Sequence, residues 1–160
     1  MMQFEAAAPE LQNAVARVMR AAFDPYVRKL GRELTPTSYD WLANALARGS
    51  IYIARDGADL VGAIATTPRG PELVIDMIAV EPTRQGSGIG SWLLARIEEV
   101  AWDAGFRCLS LDTAEMMGGL LRFYERHGYH EVRRGQPLHG KDPHTRVFFA
   151  KLLPDVATPV

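Results

Sequence analysis

The residues best arranged for chemistry are Gln85-Gly86-Ser87-Gly88-Ile89-Gly90-Ser91, where three glycines stand at alternate positions. Glycine is expensive in backbone entropy, so such a run marks main chain that must approach something closely. Directly ahead of a helix, that something is an anion. The first helical turn leaves its N–H groups unpaired, and the aligned peptide dipoles place about half a positive charge there, so phosphate binds without a lysine. A P-loop would require Gly-Lys-Ser/Thr at the helix start, where this chain has Gly88-Ile89-Gly90-Ser91. The dinucleotide fingerprint fits Gly86 and Gly88, but its third glycine falls on Ser91. Asp112 stands about the right distance onward for a ribose-binding acid, which keeps NAD as a competing ligand. Against NAD, residues 81–85 separate Val80 from Gly86, whereas a dinucleotide turn leads almost directly out of its strand.

One ionisable residue precedes this run inside an apolar segment. Asp76 interrupts Leu73-Val74-Ile75-Asp76-Met77-Ile78-Ala79-Val80. Side chains alternate along a strand, so Asp76 shares a face with Val74, Ile78 and Val80. A carboxylate in such a strand needs a partner or water, and burial would raise its pKa into a base's working range. The competing reading is an aspartate paired to a basic side chain or capping a loop.

The elements that must position these residues follow from periodicity. The apolar run to Val80 predicts a buried strand, stopped by Pro82. Ile89, Leu93, Ile97, Val100 and Ala104 recur at helical spacing, with Arg96, Glu98, Glu99 and Asp103 opposite, and Gly105 ends that helix. Cys108 to Thr113 predicts the next strand, parallel to the first through a right-handed crossover. Upstream, Gln3 to Ala7 predicts a strand, and Pro9 opens a helix ending near Asp24-Pro25. A second helix is expected from Thr35-Pro36-Thr37 to Gly49. Ile51–Arg55 and Leu60–Ala65 read as a hairpin about Asp56-Gly57-Ala58-Asp59. Downstream, a helix over Leu120–His127 closes at Gly128-Tyr129. Strands follow at His130–Arg134 and Arg146–Leu152, with a polar, flexible loop over Gly135–His144.

Composition bounds the rest. The 160 residues are 48% hydrophobic and 23% charged with a net charge of −1, an ordinary globular balance that suggests neither nucleic acid nor an anionic membrane as partner. We expect one domain over residues 1–160. Cys108 is the only cysteine, expected to be a buried strand thiol, and without a signal-like segment the reading is cytoplasmic. His127, His130, His139 and His144 make no recognisable ligand pattern, and no metal is expected.

Gln85-Gly86-Ser87-Gly88-Ile89-Gly90 resembles the Q/R-x-x-G-x-G/A pattern of the GNAT family of N-acetyltransferases, with that family's preceding Ala-Val-x-Pro present as Ala79-Val80-Glu81-Pro82. Phe123-Tyr124-Glu125-Arg126-His127-Gly128-Tyr129 is similar to its second signature, a Tyr-Glu-Lys-x-Gly-Phe type of run. Two positions depart from it. The family often has Asn seven residues before that tyrosine and Ala four before, where this chain has Met117 and Leu120. The resemblance covers nearly the whole chain. It implies a mixed α/β fold with a mostly antiparallel central sheet of six to seven strands, about four flanking helices and a splayed parallel strand pair.

The resemblance further implies acetyl-CoA as co-substrate. Its pyrophosphate would lie over Gln85, Gly86, Ser87, Gly88, Ile89, Gly90 and Ser91, and its pantetheine along Ile78, Ala79 and Val80. A backbone N–H near Ala79 or Val80 would polarise the thioester carbonyl. An alkylamine acceptor is about 3.4 pH units from neutral at pH 7, a cost of roughly 4–5 kcal/mol, so a base is needed. Asp76 is that candidate, with Glu72 and Glu115 in reserve. Tyr124 is the candidate acid for the departing thiolate, against a plain core role beside Leu120 and Leu121. Arg84 reads as solvated, with a lesser role at the phosphates. In the family the first segment walls the acceptor pocket, so Tyr26, Tyr39 and Trp41 either touch substrate or pack in the core. The acceptor reads first as a small-molecule amine and second as a protein N-terminus or lysine. A non-catalytic acyl-CoA-binding module is the alternative of a different class, and a homodimer is admitted without being demanded.

Overall fold

The computed structural model describes residues 1–153. In chain order these form β1 (Met2–Ala6), α1 (Gln12–Lys29), α2 (Leu42–Ala47), β2 (Ile51–Asp56), β3 (Asp59–Arg69), β4 (Glu72–Val80), α3 (Ile89–Asp103), β5 (Cys108–Ala114), α4 (Gly118–Arg126), β6 (His130–Gly135) and β7 (Arg146–Leu152). The strands make one sheet in the order β1-β2-β3-β4-β5-β7-β6. Pairing is antiparallel at β1/β2, β2/β3, β5/β7 and β7/β6, and parallel at β4/β5. The expected mixed sheet is therefore present, and β4–α3–β5 is its strand–helix–strand unit. The parallel ladder joins Glu72, Leu73 and Val74 to Cys108, Leu109 and Ser110. Most of each strand lies beyond that ladder.

The chain condenses into two compact units, one of Met1–Thr67 with Asp76–Arg96 and one of Pro68–Ile75 with the residues from Ile97 onward. In the first, α1 contributes Val15, Val18 and Met19 and α2 contributes Leu42, Ala45 and Leu46 to a core with Ile51, Ile53, Ala63, Ala65 and Ala79. A second cluster gathers Ala54, Val61, Ile89 and Leu93, flanked by Phe4, Ile78, Val80 and Trp92. Strands β2 and β3 thus bury residues on both faces, which explains apolar runs without clean alternation. In the second unit Leu73, Ile97, Leu109, Leu111, Tyr129, Val147 and Phe149 are buried.

Three boundaries differ from expectation by about four residues or more. Helix α1 does not stop at Asp24-Pro25 but continues through Pro25 to Lys29. Burial of Val27 and of Leu30 just beyond the last turn offsets the one helical hydrogen bond that proline removes. Helix α2 starts at Leu42, not Thr35. In the intervening turns Ser38 Oγ accepts the Thr35 N–H at 2.8 Å and Trp41 Nε1 donates to the Ser38 carbonyl at 3.0 Å. Such local side-chain bonds give the backbone an alternative to helix. Strand β3 reaches Arg69, so Pro68 lies within it and the turn to β4 is Gly70-Pro71.

Candidate functional site

Residues 76–80 of β4, the glycine run and the first turns of α3, to Arg96, form the centre of the site within the first unit. Helix α3 can lie close on the sheet because β3 presents Gly62 beneath it. A Cβ there would stand 3.1 Å from Leu93 Cδ1 and 3.2 Å from the Ala79 carbonyl oxygen. The missing side chain sets both the depth of the helix and the path of β4. Glu81 N–H donates to the Val61 carbonyl at 2.9 Å, after which Pro82–Arg84 makes one 3₁₀ turn.

The loop between Val80 and α3 is held by its own side chains. Gln85 Nε2 donates to the Val80 carbonyl at 3.1 Å, and Ser87 Oγ donates to the Arg84 carbonyl. Arg84 is not a solvated cation. Its guanidinium reaches Asp56 at 2.9 Å and Asp59 at 3.4 Å across the β2–β3 hairpin. Hydrogen bonding to Arg84, with help from the N-terminal ammonium, holds the Asp56 carboxyl below the usual carboxylate range. Gly86 and Gly88 take φ of +83° and +87°, and a Cβ on either would meet nothing within 4 Å. Backbone conformation, not crowding by the protein, therefore requires these two glycines. Trp92 N–H donates to the Gly88 carbonyl at 3.0 Å, joining the loop to α3. Among the described residues, the amides of Gly86, Ser87, Gly88, Ile89 and Gly90 find no protein acceptor. They form a row of donors at the positive end of a fifteen-residue helix.

Asp76 lies on β4, but it is exposed rather than buried. Thr67 Oγ1 donates to its Oδ2 at 2.5 Å from neighbouring β3. Asp76 is a solvent-facing carboxylate with a hydroxyl partner, a partner that sequence reasoning missed. On the same strand Ile78 and Val80 are half-buried and Ala79 is fully buried.

Tyr124 belongs to the second unit. It is half-buried on α4, its ring stacked at 5.3 Å on Phe123 and 6.0 Å from both Tyr129 and Phe149. The end of α4 is pinned by Lys151, whose Nζ donates to the His127 carbonyl and to Glu98 Oε1, both at 2.8 Å. Gly128 closes the helix at φ +87°. Tyr129 is buried, its hydroxyl has no partner among the described residues, and burial pushes its pKa well above the ordinary phenol value.

The same unit holds a network that sequence reasoning did not anticipate. Arg146 and Asp142 form a buried bidentate pair with N···O distances of 3.0 and 2.9 Å. Arg146 also donates to the His144 carbonyl at 2.9 Å, and its Nε lies 3.8 Å from Asp112. The loop expected to be polar and flexible is thus anchored at Asp142. Asp112 retains 41% of its side-chain exposure, yet burial of the carboxyl outweighs Arg146 and raises its pKa. Cys108 is half-buried and its thiol is pushed up by burial, which suits an inert strand residue.

Of the first-segment aromatics, Tyr39 is buried in the core under Arg20, with its phenol pushed up to about 12 by burial. Trp41 is 39% exposed. Glu72 accepts two bonds from Arg69, and Glu115 pairs with Arg134. No helix of the described residues is long and apolar enough to cross a membrane.

A family model described as the acetyltransferase (GNAT) family matches residues 15–129. An IAA acetyltransferase of Azospirillum brasilense is 32% identical over 139 residues, covering 83% of this chain and 87% of that protein. The ribosomal-protein-S18-alanine N-acetyltransferase of Escherichia coli superposes with a TM-score of 0.79 at 15% identity, over 100% of this chain and 99% of that one. The PaiA N-acetyltransferase of Thermoplasma acidophilum, solved in complex with coenzyme A, gives 0.76 at 16% identity, over 95% and 99% of the two chains.

Proposed function

Since this chain belongs to the GNAT acetyltransferase family and is an acetyl-CoA-dependent N-acetyltransferase, we propose that its 160 residues work as one domain that acetylates the primary amine of a small molecule. The observation that carries the reading is the row of amides from Gly86 to Gly90 at the start of α3, which lack protein acceptors. They receive the pyrophosphate of acetyl-CoA, and the pantetheine follows Ile78, Ala79 and Val80. Gln85 serves by fixing the loop to the end of β4, and Ser87 and Ser91 bracket the helix start.

Transfer proceeds by direct attack in a ternary complex. The ammonium of the acceptor gives a proton to Asp76, directly or through water. The neutral nitrogen attacks the thioester carbon, so the C–N bond forms and the C–S bond breaks. The departing CoA thiolate takes a proton from Tyr124, and that proton is replaced from solvent. A phenol near pKa 10 is a weaker acid than a thiol near 8.5, so this last transfer is uphill by about 2 kcal/mol and is completed by reprotonation of the phenolate from solvent. An exposed Asp76 suits a base that must return its proton to water, and the Thr67 hydroxyl fixes its orientation.

The Azospirillum relative, an IAA acetyltransferase by its description, supports a small-molecule acceptor. A protein N-terminus or lysine stays second, since the S18-alanine neighbour is alike in fold alone. The test is thiol release from acetyl-CoA with a panel of primary amines. Asp76→Asn and Tyr124→Phe should each lower kcat by about 10²-fold or more while CoA binding stays intact. Full activity in both variants would remove these roles. CoA binding with no amine acetylated would favour the non-catalytic acyl-CoA-binding module.

A further inference from the structure

The connection from β4 to α3 is fastened to strands β2 and β3 at two points. Glu81 N–H donates to the Val61 carbonyl on β3 at 2.9 Å. Three residues on, the Arg84 guanidinium reaches Asp56 Oδ2 through Nη1 at 2.9 Å and Asp59 Oδ2 through Nη2 at 3.4 Å. Asp56 ends β2 and Asp59 begins β3, so the two carboxylates flank the hairpin turn. The main chain of Arg84 is engaged as well. Its N–H donates to the Glu81 carbonyl at 2.8 Å, and its own carbonyl accepts the Ser87 hydroxyl.

Ser87 stands between Gly86 and Gly88, both at positive φ with open space where a Cβ would be. Two such glycines leave an unfastened chain many conformations, so holding a row of amides in place there costs entropy. The Ser87–Arg84 bond removes that freedom only if Arg84 is itself fixed. Asp56 and Asp59 fix it. All of these groups belong to the first unit. The Met1 ammonium stands 3.4 Å from Asp56 Oδ1, so two anions and two cations balance within the cluster. Arg84 is therefore committed to the hairpin rather than offered to a phosphate. Both Arg84 and Asp56 are exposed, so their pair adds little to the stability of the fold, and its effect lies in where it holds the loop.

We propose that Arg84 is a positioning residue for acetyl-CoA: held by Asp56 and Asp59, it preorganises the glycine loop so that the amides from Gly86 to Gly90 stand ready for the pyrophosphate. This rests on the reading of that loop as the pyrophosphate site. The β2–β3 turn thereby contributes to co-substrate affinity through Arg84.

The experiment measures the Kd of CoA by titration calorimetry, with KM for acetyl-CoA and kcat alongside, in the wild-type protein, Arg84→Met, Arg84→Lys and a double variant carrying Asp56→Asn and Asp59→Asn. Arg84→Met and the double variant should each weaken CoA by about threefold or more, with KM for acetyl-CoA rising by a larger factor than kcat falls and Tm nearly unchanged. Arg84→Lys should keep part of the affinity. Adding Arg84→Met to the double variant should weaken CoA no further, since both changes break the same interaction. The sign of the aspartate effect decides the matter. An arginine that bound phosphate directly would bind it better once the two carboxylates were gone. CoA affinity that is unchanged or stronger in the double variant therefore overturns the inference and leaves the loop reading standing. So does unchanged affinity in Arg84→Met. No CoA binding by the wild-type protein overturns both.

Discussion

Asp76 accepts a bond from Thr67 in the open, whereas Asp112, on β5, has a carboxyl that burial forces upward. The two aspartates could not be told apart in the sequence. Alternation gives the face of a strand, but not whether another layer covers that face. Asp112 has a measurable signature. Its folded pKa lies above its unfolded value, so its contribution to stability is present at low pH and is lost as pH rises through the folded pKa. Asp112→Asn should therefore raise Tm at pH 7, with the advantage shrinking as pH falls through the folded pKa and gone below about 4, in thermal melts across pH. An advantage that does not change with pH would contradict this. Tyr129 offers a second check, for its buried hydroxyl has no partner among the described residues. Tyr129→Phe removes a desolvated polar group without changing shape and should stabilise by about 1 kcal/mol in denaturant titration.

The strand, glycine turn and helix at residues 72–103 were legible because every signal in them is local: the apolar run, Pro82, the alternate glycines, and the helical spacing after Ile89. The ends of α1 and α2 were not. Proline at 25 and threonine at 35 and 37 are strong local signals, overridden in α1 by burial of Val27 and Leu30 and replaced before α2 by the Thr35–Ser38 turn bonds. Nor could Gly62 be recognised, since its purpose is the helix above it rather than its own turn. Gly88→Ala forces a side chain into φ +87°, at a cost of about 1–2 kcal/mol. It should also weaken CoA by moving the amides that follow, a result read by titration calorimetry. Gly62→Val, which meets Leu93 and the Ala79 carbonyl, should lower Tm and CoA affinity together. A stable Gly62→Val protein with unchanged affinity would detach α3 placement from binding.

Across the molecule, the sequence yielded the strands, but not the side-by-side order that sends β7 between β5 and β6. That order is a matter of long-range pairing, and it sets the place of the Asp142–Arg146 pair. The pair is buried on both sides, so breaking it leaves an uncompensated charge. Asp142→Asn should cost about 3–5 kcal/mol, far more than loss of an exposed pair such as Asp24–Arg28, where about 0.3–0.5 kcal/mol is usual.

The central claim is that the glycine loop at the start of α3 binds the pyrophosphate of acetyl-CoA. Its most direct test is a thermal shift with acetyl-CoA, CoA, NAD and ATP in parallel, where a ligand at 100 times its Kd adds about 2.7 kcal/mol. The account predicts stabilisation by acetyl-CoA and CoA alone. Stabilisation by NAD, or no response to either CoA species, would contradict it.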